Sequence, residues 1–390
     1  MKPIFLQKTI LKYDRLLLLL CWLISAAFYL KVFGIVTIQE AIKYIREANR
    51  IIDGSNFSQP RYWFYCTTIF IIALALKLKI GLIGAFVLQS LLNIFALSFF
   101  YTEIKKLFQI PLTAFFAVAY LLLFWPYQSW VVFLFTESAF FSAILILLAA
   151  IMRYRPNSLK NVLIISFALL LVIISRPLGI LFIPAVYVYF FYNANKNWKM
   201  ILGSISIILF IAAFYIINII FSTIPDWHIT QAFEQESIIC DLPTNNPSHT
   251  VIYLAAGSTP VYQLFYYVTH NFEHFLHFMT VKLQYFFLMA RPYFSKAHNY
   301  YVVLNVVPLY LLALGSFLIK QIKFNSGVSL FLATIIVVYT VTIIFQCDDY
   351  HNRFILSIYP CFVVLAAKTV DYFASRFLKH NKQAASISIK

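Results

Sequence analysis

The sequence predicts an all-α polytopic membrane protein. It has about ten transmembrane helices, alternatively eleven, a juxtamembrane amphipathic helix in the first outer loop, and one larger outer loop. Three observations predict it. Of 390 residues, 62% are hydrophobic and only 11% charged, whereas soluble domains carry roughly a quarter charged residues. Apolar runs long enough for a span recur along the chain, separated by short loops bearing Lys or Arg. One stretch, 37–50, breaks this uniformity with an apolar stripe at helical period.

The elements follow in order. A basic N-terminus (Lys2, Lys8, Lys12, Arg15) precedes the first apolar run, about 16–35. The positive-inside tendency places that terminus in the cytoplasm. The run lacks an A-x-A cleavage site and is followed by charges, so it reads as a retained span. In 37–50, Ile38, Ala41, Ile42, Ile45, Ala48 and Ile52 fall on one side, and Glu40, Lys43, Arg46, Glu47 and Arg50 on the other. Such a helix lies in the membrane interface. The turn signal Asp53-Gly54-Ser55-Asn56 closes it. The apolar run 62–78 is short for a span. If it crossed, every later loop would invert, and the basic loops 105–106, 153–160, 196–199 and 320–323 and the C-terminal tail would lie opposite the basic N-terminus. Ten spans are therefore expected, at about 16–35, 81–102, 108–125, 131–152, 160–175, 178–193, 199–222, 301–319, 327–346 and 354–373. Eleven is the alternative. The expected organisation is a core over 1–222 with a first outer loop at 36–62, an outer segment at 223–300, and C-terminal helices with a basic cytoplasmic tail at 301–390.

A net charge of +16 is scattered rather than clustered, so it reads as topology and not as a nucleic-acid surface. Five cysteines without a CxxC pair argue against a zinc or redox motif. Cys240 and Cys347 both fall in expected outer segments, where a disulfide is allowed.

Polar groups on the expected outer face are the functional candidates. Glu40 is the first. Thr37-x-x-Glu40 also spells a capping box, in which the carboxylate only satisfies a backbone N–H. Glu137, in Thr136-Glu137-Ser138 at the start of a span, is either an N-terminal carboxylate of the ordinary kind or a used acid. Arg176 and Arg353 stand at outer ends of spans and suit phosphate. Asp348 and Asp349 offer Arg353 a salt bridge instead. His270, His274 and His277 have the spacing of one helix face, which fits either a metal site or an aromatic–His surface. Asp226 and His228 carry a weaker signal of the same kind.

With these residues in place, the chain resembles the GT-C membrane glycosyltransferases. These are the polyprenyl-phosphate-sugar-dependent enzymes related to protein O-mannosyltransferases and lipid A aminoarabinose transferases, and the similarity is greatest to the bacterial RgtA/B/C/D-like type. The landmarks are Glu40, Tyr44, Ala48 and Gly54 in the first outer loop, Pro126 followed by Glu137, the Arg-Pro-x-Gly of 176–179, and Asn-Arg-Phe leading from Arg353 to Pro360. Two features depart from the pattern: Glu40 stands where the family usually has Asp, and the Pro-rich motif is reduced to Gln59-Pro60-Arg61-Tyr62.

The resemblance implies transfer of one sugar from a polyprenyl-phosphate donor to a lipid, glycan or protein hydroxyl at the outer face of the inner membrane, with inversion. It implies Glu40 as general base, and Glu137 as orienter or co-ligand of a divalent metal (Mg or Mn). It implies Arg353 and Arg176 on the donor phosphate, and Tyr44 and His351 as substrate-positioning residues. The alternatives are a polysaccharide polymerase or ligase, a lipid or sugar transporter (flippase), and an inactive scaffold. The transporter reading predicts mid-span polar groups, for which Gln89, Asn93 and Asn218 are the candidates.

Overall fold

A computed structural model describes residues 10–154, 158–223, 230–240, 242, 252–255, 257–319, 322 and 326–387. Among them the protein is helical throughout, with two isolated β-bridges and no longer strand. The principal helices are α1 (Asp14–Phe33), α2 (Glu40–Ile52), α3 (Cys66–Lys77), α4 (Gly81–Leu107), α5 (Pro111–Leu123), α6 (Thr136–Arg153), α7 (Leu159–Ser175), α8 (Phe182–Asn193), α9 (Lys196–Thr223), α10 (Pro260–His270), α11 (Phe272–Leu288), α12 (Lys296–Leu318), α13 (Ser326–Phe345) and α14 (Arg353–Ile387).

Six stretches are long and apolar enough to cross a membrane: Asp14–Phe33, Gly81–Leu107, Thr136–Arg153, Lys296–Leu318, Ser326–Phe345 and Arg353–Lys379. A seventh exists if Pro111–Leu123 and Trp125–Val132, bent by 70°, form one span. The expected ten spans are thus six or seven by length and apolarity among the described residues. The difference has local causes. The run expected at 108–125 ends at Leu123, ahead of Pro126, and turns. The runs around Arg176-Pro177 form helices of 17 and 12 residues. The helix α9, expected as the span 199–222, has 28 residues, but its side chains are described only in part. The short run 62–78 becomes a six-residue 3-10 helix, Pro60–Tyr65, and then α3. Twelve residues at 1.5 Å rise reach about 18 Å, short of a hydrocarbon core of about 30 Å.

The chain divides into two compact units. The first comprises Met1–Ile183, Leu309–Ser329 and Tyr359–Lys390, and the second Pro184–Pro308 and Leu330–Ile358. This division does not follow the sequence order expected from the loops, because contacts join distant segments. In the first unit, for instance, the Asp371 carboxylate accepts the backbone N–H groups of Gln109 and Ile110, at 3.0 and 2.8 Å, ahead of α5.

Two of the mid-span polar residues serve the first unit's packing. Trp22 Nε1 donates to Asn93 Oδ1 at 2.8 Å, Gln128 Nε2 donates to the same oxygen at 3.2 Å, and Asn93 Nδ2 donates to Ser142 Oγ at 3.1 Å. The amide of Gln89 donates to the carbonyls of Val131 and Phe133, at 2.7 and 2.9 Å. Buried polar groups need such partners. In the second unit, Asn218 accepts from the Val261 N–H at 3.1 Å. All three mid-span polar residues thus have hydrogen-bond partners within the fold.

Candidate functional site

The first unit brings together four of the residues singled out in the sequence. Helix α2 begins at Glu40 itself. Its N-cap is Gln39, with no side-chain capping bond, so the Thr37–Glu40 capping box does not form. Gln39 adopts φ 58°, ψ −121°, a conformation costing a non-glycine residue about 1–3 kcal/mol. That turn aims the start of α2, and the stretch before it is pinned by a bridge. Val36 N–H donates to the Val132 carbonyl at 3.0 Å, and Leu134 N–H to the Val36 carbonyl at 3.1 Å. Gln89 holds the same segment through Val131 and Phe133, just ahead of Thr136 and Glu137.

The helix presents three faces rather than two. Ala41, Tyr44, Glu47 and Ala48 are buried against the protein. Ile38, Ile42 and Ile52 stay exposed, Ile38 at 61% and Ile42 at 57%. The cations Arg46 and Arg50 are also exposed. Glu47, expected on the polar face, is buried and accepts from Ser58 N at 2.8 Å and Ser58 Oγ at 2.5 Å. It clamps the loop that follows. The uncovered isoleucine strip is what a helix lying in the membrane interface requires. Replacing Ile42 by Glu is expected to leave the fold intact, since the side chain touches no core, and to weaken bilayer association of this loop. Brominated-lipid quenching of the adjacent Trp63, itself 61% exposed, would fall.

Glu40 keeps 34% of its side chain exposed and sits 3.7 Å from Lys43 Nζ. The Tyr44 hydroxyl donates to Glu40 Oε2 at 3.4 Å. Tyr44 stacks obliquely on Tyr65, with ring centroids 5.5 Å apart. Burial pushes the Tyr44 hydroxyl well above its ordinary value, Glu137 and then Glu40 and Tyr65 push the same way, and Arg176 opposes. Tyr65 is raised mainly by burial, with Arg176 and Glu40 acting on it in opposite senses. Both phenols thus stay protonated and able to donate. Glu137 lies in the first turn of α6, wholly buried, without a side-chain cap, and pairs with Arg176.

Arg176 is positioned by the Arg-Pro-x-Gly sequence. Pro177 holds Arg176 in extended backbone at the end of α7. Gly179 N–H then donates to the Arg176 carbonyl at 2.8 Å, and a Cβ on Gly179 would lie 2.4 Å from the Val172 carbonyl oxygen. Only glycine allows this turn to close against α7. Next to it, Ser175 Oγ donates to Thr67 Oγ1 at 2.8 Å. Arg176, a candidate for phosphate, pairs with the buried Glu137 carboxylate.

No family model matches the chain, and no curated protein and no solved structure matches it either. The site is therefore read from its chemistry. Of its two carboxylates, Glu40 is the one partly open to solvent. Glu137 is shielded and charge-balanced. No group of three or more His, Cys, Asp or Glu side chains placed to hold a metal ion occurs among the described residues.

The second unit holds Arg353 and His351. The disulfide Cys240–Cys347, with Cα atoms 5.1 Å apart, closes 107 residues. Beside it, Cys240 N–H donates to the Asp348 carbonyl at 2.9 Å, and Asp348 N–H to the Ile238 carbonyl at 2.8 Å. The Asp348 carboxylate pairs with Arg291, a fully buried residue that periodicity gave no reason to single out. Burial pushes the Asp348 carboxyl up, and Arg291 opposes that. Arg353 Nε lies 3.2 Å from Asp349, so the salt bridge open to it in the sequence is made. His351 is exposed and donates its backbone N–H to Asp349 Oδ1 at 2.9 Å. Asn352, at φ 59°, donates its amide to the Met289 carbonyl at 2.8 Å and starts α14 at Arg353. Reduction of the disulfide, or Cys240→Ser with Cys347→Ser, is expected to cost about 2–4 kcal/mol. It would be read as a lower detergent melting temperature under reductant, absent in the double variant.

The three histidines do not share a helix. His270 ends α10, Asn271 breaks the chain, and His274 and His277 lie in α11. His274 bonds the Tyr267 hydroxyl at 2.6 Å and faces Glu236 at 3.1 Å. Asp226 and His228 lie outside the described residues.

Lys282, missed in the sequence, is buried over the rings of Phe233 and Phe278, each 4.9 Å away, and donates to the Ile344 carbonyl at 3.1 Å. Burial brings its ammonium down to about 7, against the pull of Asp348. Between about pH 7 and 10 the unfolded chain then holds a proton that the folded chain has released. Stability therefore rises with pH there, by at most about 1.4 kcal/mol per unit. Lys282→Met is expected to flatten that slope in melting curves taken across this range.

Proposed function

We propose that this chain is a membrane glycosyltransferase. It moves a single sugar from a polyprenyl-phosphate-linked donor to an acceptor hydroxyl at the outer membrane face. The observation that carries the reading is the one-third-exposed Glu40 carboxylate, at the start of a helix whose isoleucine strip is uncovered, backed by the protonated Tyr44 and the neutralised Glu137–Arg176 pair. A single reachable base at the membrane boundary fits a reaction between a lipid-borne donor and an alcohol.

In the proposed step the acceptor oxygen attacks the anomeric carbon opposite the phosphate, and the carbon–oxygen bond to phosphate breaks. Polyprenyl phosphate leaves, and Glu40 takes the acceptor proton. Inversion follows from attack on the opposite face. The leaving phosphate develops negative charge, which a fixed cation stabilises; the sequence resemblance assigns that role to Arg353. Arg176 pairs with the Glu137 carboxylate and holds it in place. The Cys240–Cys347 disulfide supports an oxidising compartment for that part of the chain, in keeping with N- and C-termini in the cytoplasm and an outer-face site.

The test is transfer of label from a panel of polyprenyl-phosphate sugars into membrane acceptors by the purified full chain in liposomes. Transfer with release of polyprenyl phosphate is expected from one donor. No transfer from any donor by folded protein would overturn the reading in favour of a polymerase, a transporter or an inactive scaffold.

A further inference from the structure

A second site of a different kind lies in the first unit, and it does not depend on the proposed reaction. Helices α1, α4 and α5 leave between them a cleft of about 200 Å³. Leu18, Trp22, Leu97, Val118 and Leu122 form its apolar wall, and Arg15 stands at its rim with Tyr101 and Ser98. Two carboxylates beside that rim are already paired. Asp14 is held by Lys105 and by the Tyr101 hydroxyl, and Glu103 by Lys106 at 2.8 Å. The guanidinium of Arg15 has one long hydrogen bond, 3.4 Å to Thr102 Oγ1, and no carboxylate within ion-pair distance among the described residues.

An apolar cleft between spans with an uncompensated cation at its rim selects an anionic amphiphile. The chain of the ligand takes the cleft, and its headgroup takes the guanidinium, which suits phosphate geometry. Arg15 stands at the first end of α1, a 20-residue helix whose other end leads to the Glu40 loop. At 1.5 Å rise the helix is about 30 Å long. This is one bilayer thickness, so the rim faces the opposite leaflet from Glu40. We infer that the cleft between α1, α4 and α5 binds one anionic phospholipid of that leaflet, with an acyl chain against Trp22 and Leu97 and its phosphate on Arg15. The ligand is a resident bilayer lipid, not the sugar donor, which the proposed function uses at the Glu40 end.

The test is native mass spectrometry of the full chain, delipidated in detergent and titrated separately with phosphatidylglycerol, phosphatidylcholine and polyprenyl phosphate. One phosphatidylglycerol per chain is expected to bind about fivefold more tightly than phosphatidylcholine. Arg15→Gln should remove that preference, and Arg15→Lys should restore part of it. Both change an exposed side chain, so folding is not at stake. Ser98→Phe, which fills the rim of the cleft, should weaken both phospholipids alike. The inference is overturned if Arg15→Gln keeps the preference, if Ser98→Phe binds as the parent does, or if polyprenyl phosphate outcompetes phosphatidylglycerol. Because the readout is lipid binding without turnover, its failure leaves the transferase reading untouched, and the reverse holds.

Discussion

Glu137→Gln is expected to destabilise the first unit by about 3–5 kcal/mol, a larger loss than any other single change considered. The carboxylate is wholly buried and holds Arg176, whose side chain is itself only 11% exposed. Removing one member of a buried ion pair takes charge compensation away from the other, and that asymmetry sets the size of the loss. Glutamine preserves shape and one acceptor, so packing alone predicts almost no effect. The measurement is the melting temperature of purified protein in detergent. The double variant Glu137→Gln with Arg176→Gln should recover much of the loss, because no charge is then stranded. A neutral result for Glu137→Gln alone would mean that the pair is solvated and that Arg176 is available for another ligand.

Glu40→Gln is expected to reduce sugar transfer by a factor of about 10²–10⁴, the usual worth of a general base, with little change in melting temperature. The contrast with Glu137 comes from exposure. Glu40 is one-third exposed, with the Tyr44 hydroxyl and Lys43 beside it, so water reaches whatever replaces the carboxylate. Glu40→Asp, which retracts the carboxylate by one methylene, should keep part of the activity if proton transfer is its role. Transfer retained in full by Glu40→Gln would remove it as base and leave the uncovered helix α2 as a membrane-anchoring element only. Measuring both variants on one preparation separates a stabilising carboxylate from a reacting one.

The features the sequence makes readable are those set by neighbours along the chain. Hydropathy over one span-length window marks α1, α4, α6, α12 and α13. The helical period over 37–50 marks α2, and proline marks the breaks at Pro126 and Pro177. Even there the local rule misleads at one point. Thr37 and Glu40 have the spacing of a capping box, yet the bridge of Val36 to Val132 and Leu134 pulls the chain into a different entry, and Gln39 becomes the cap. The three histidines have the spacing of one helix face, but the Asn271 side chain bonds both the N–H and the carbonyl of Tyr253 at 2.8 Å, and the helix is interrupted there.

By itself the sequence determined that the described residues are helical with several apolar helices of membrane-crossing length, and that an amphipathic helix follows the first of them. Those facts follow from the short-range physics of hydrogen-bonded helices in an apolar solvent. Only the tertiary structure decided what each charge does. The pairing of Glu137 with Arg176 across 39 residues, of Arg291 with Asp348 across 57, of Glu47 with Ser58 and of Cys240 with Cys347 depends on how helices pack. Packing is fixed by shape complementarity between distant segments, and no local period in a sequence encodes which distant partner a buried charge will meet.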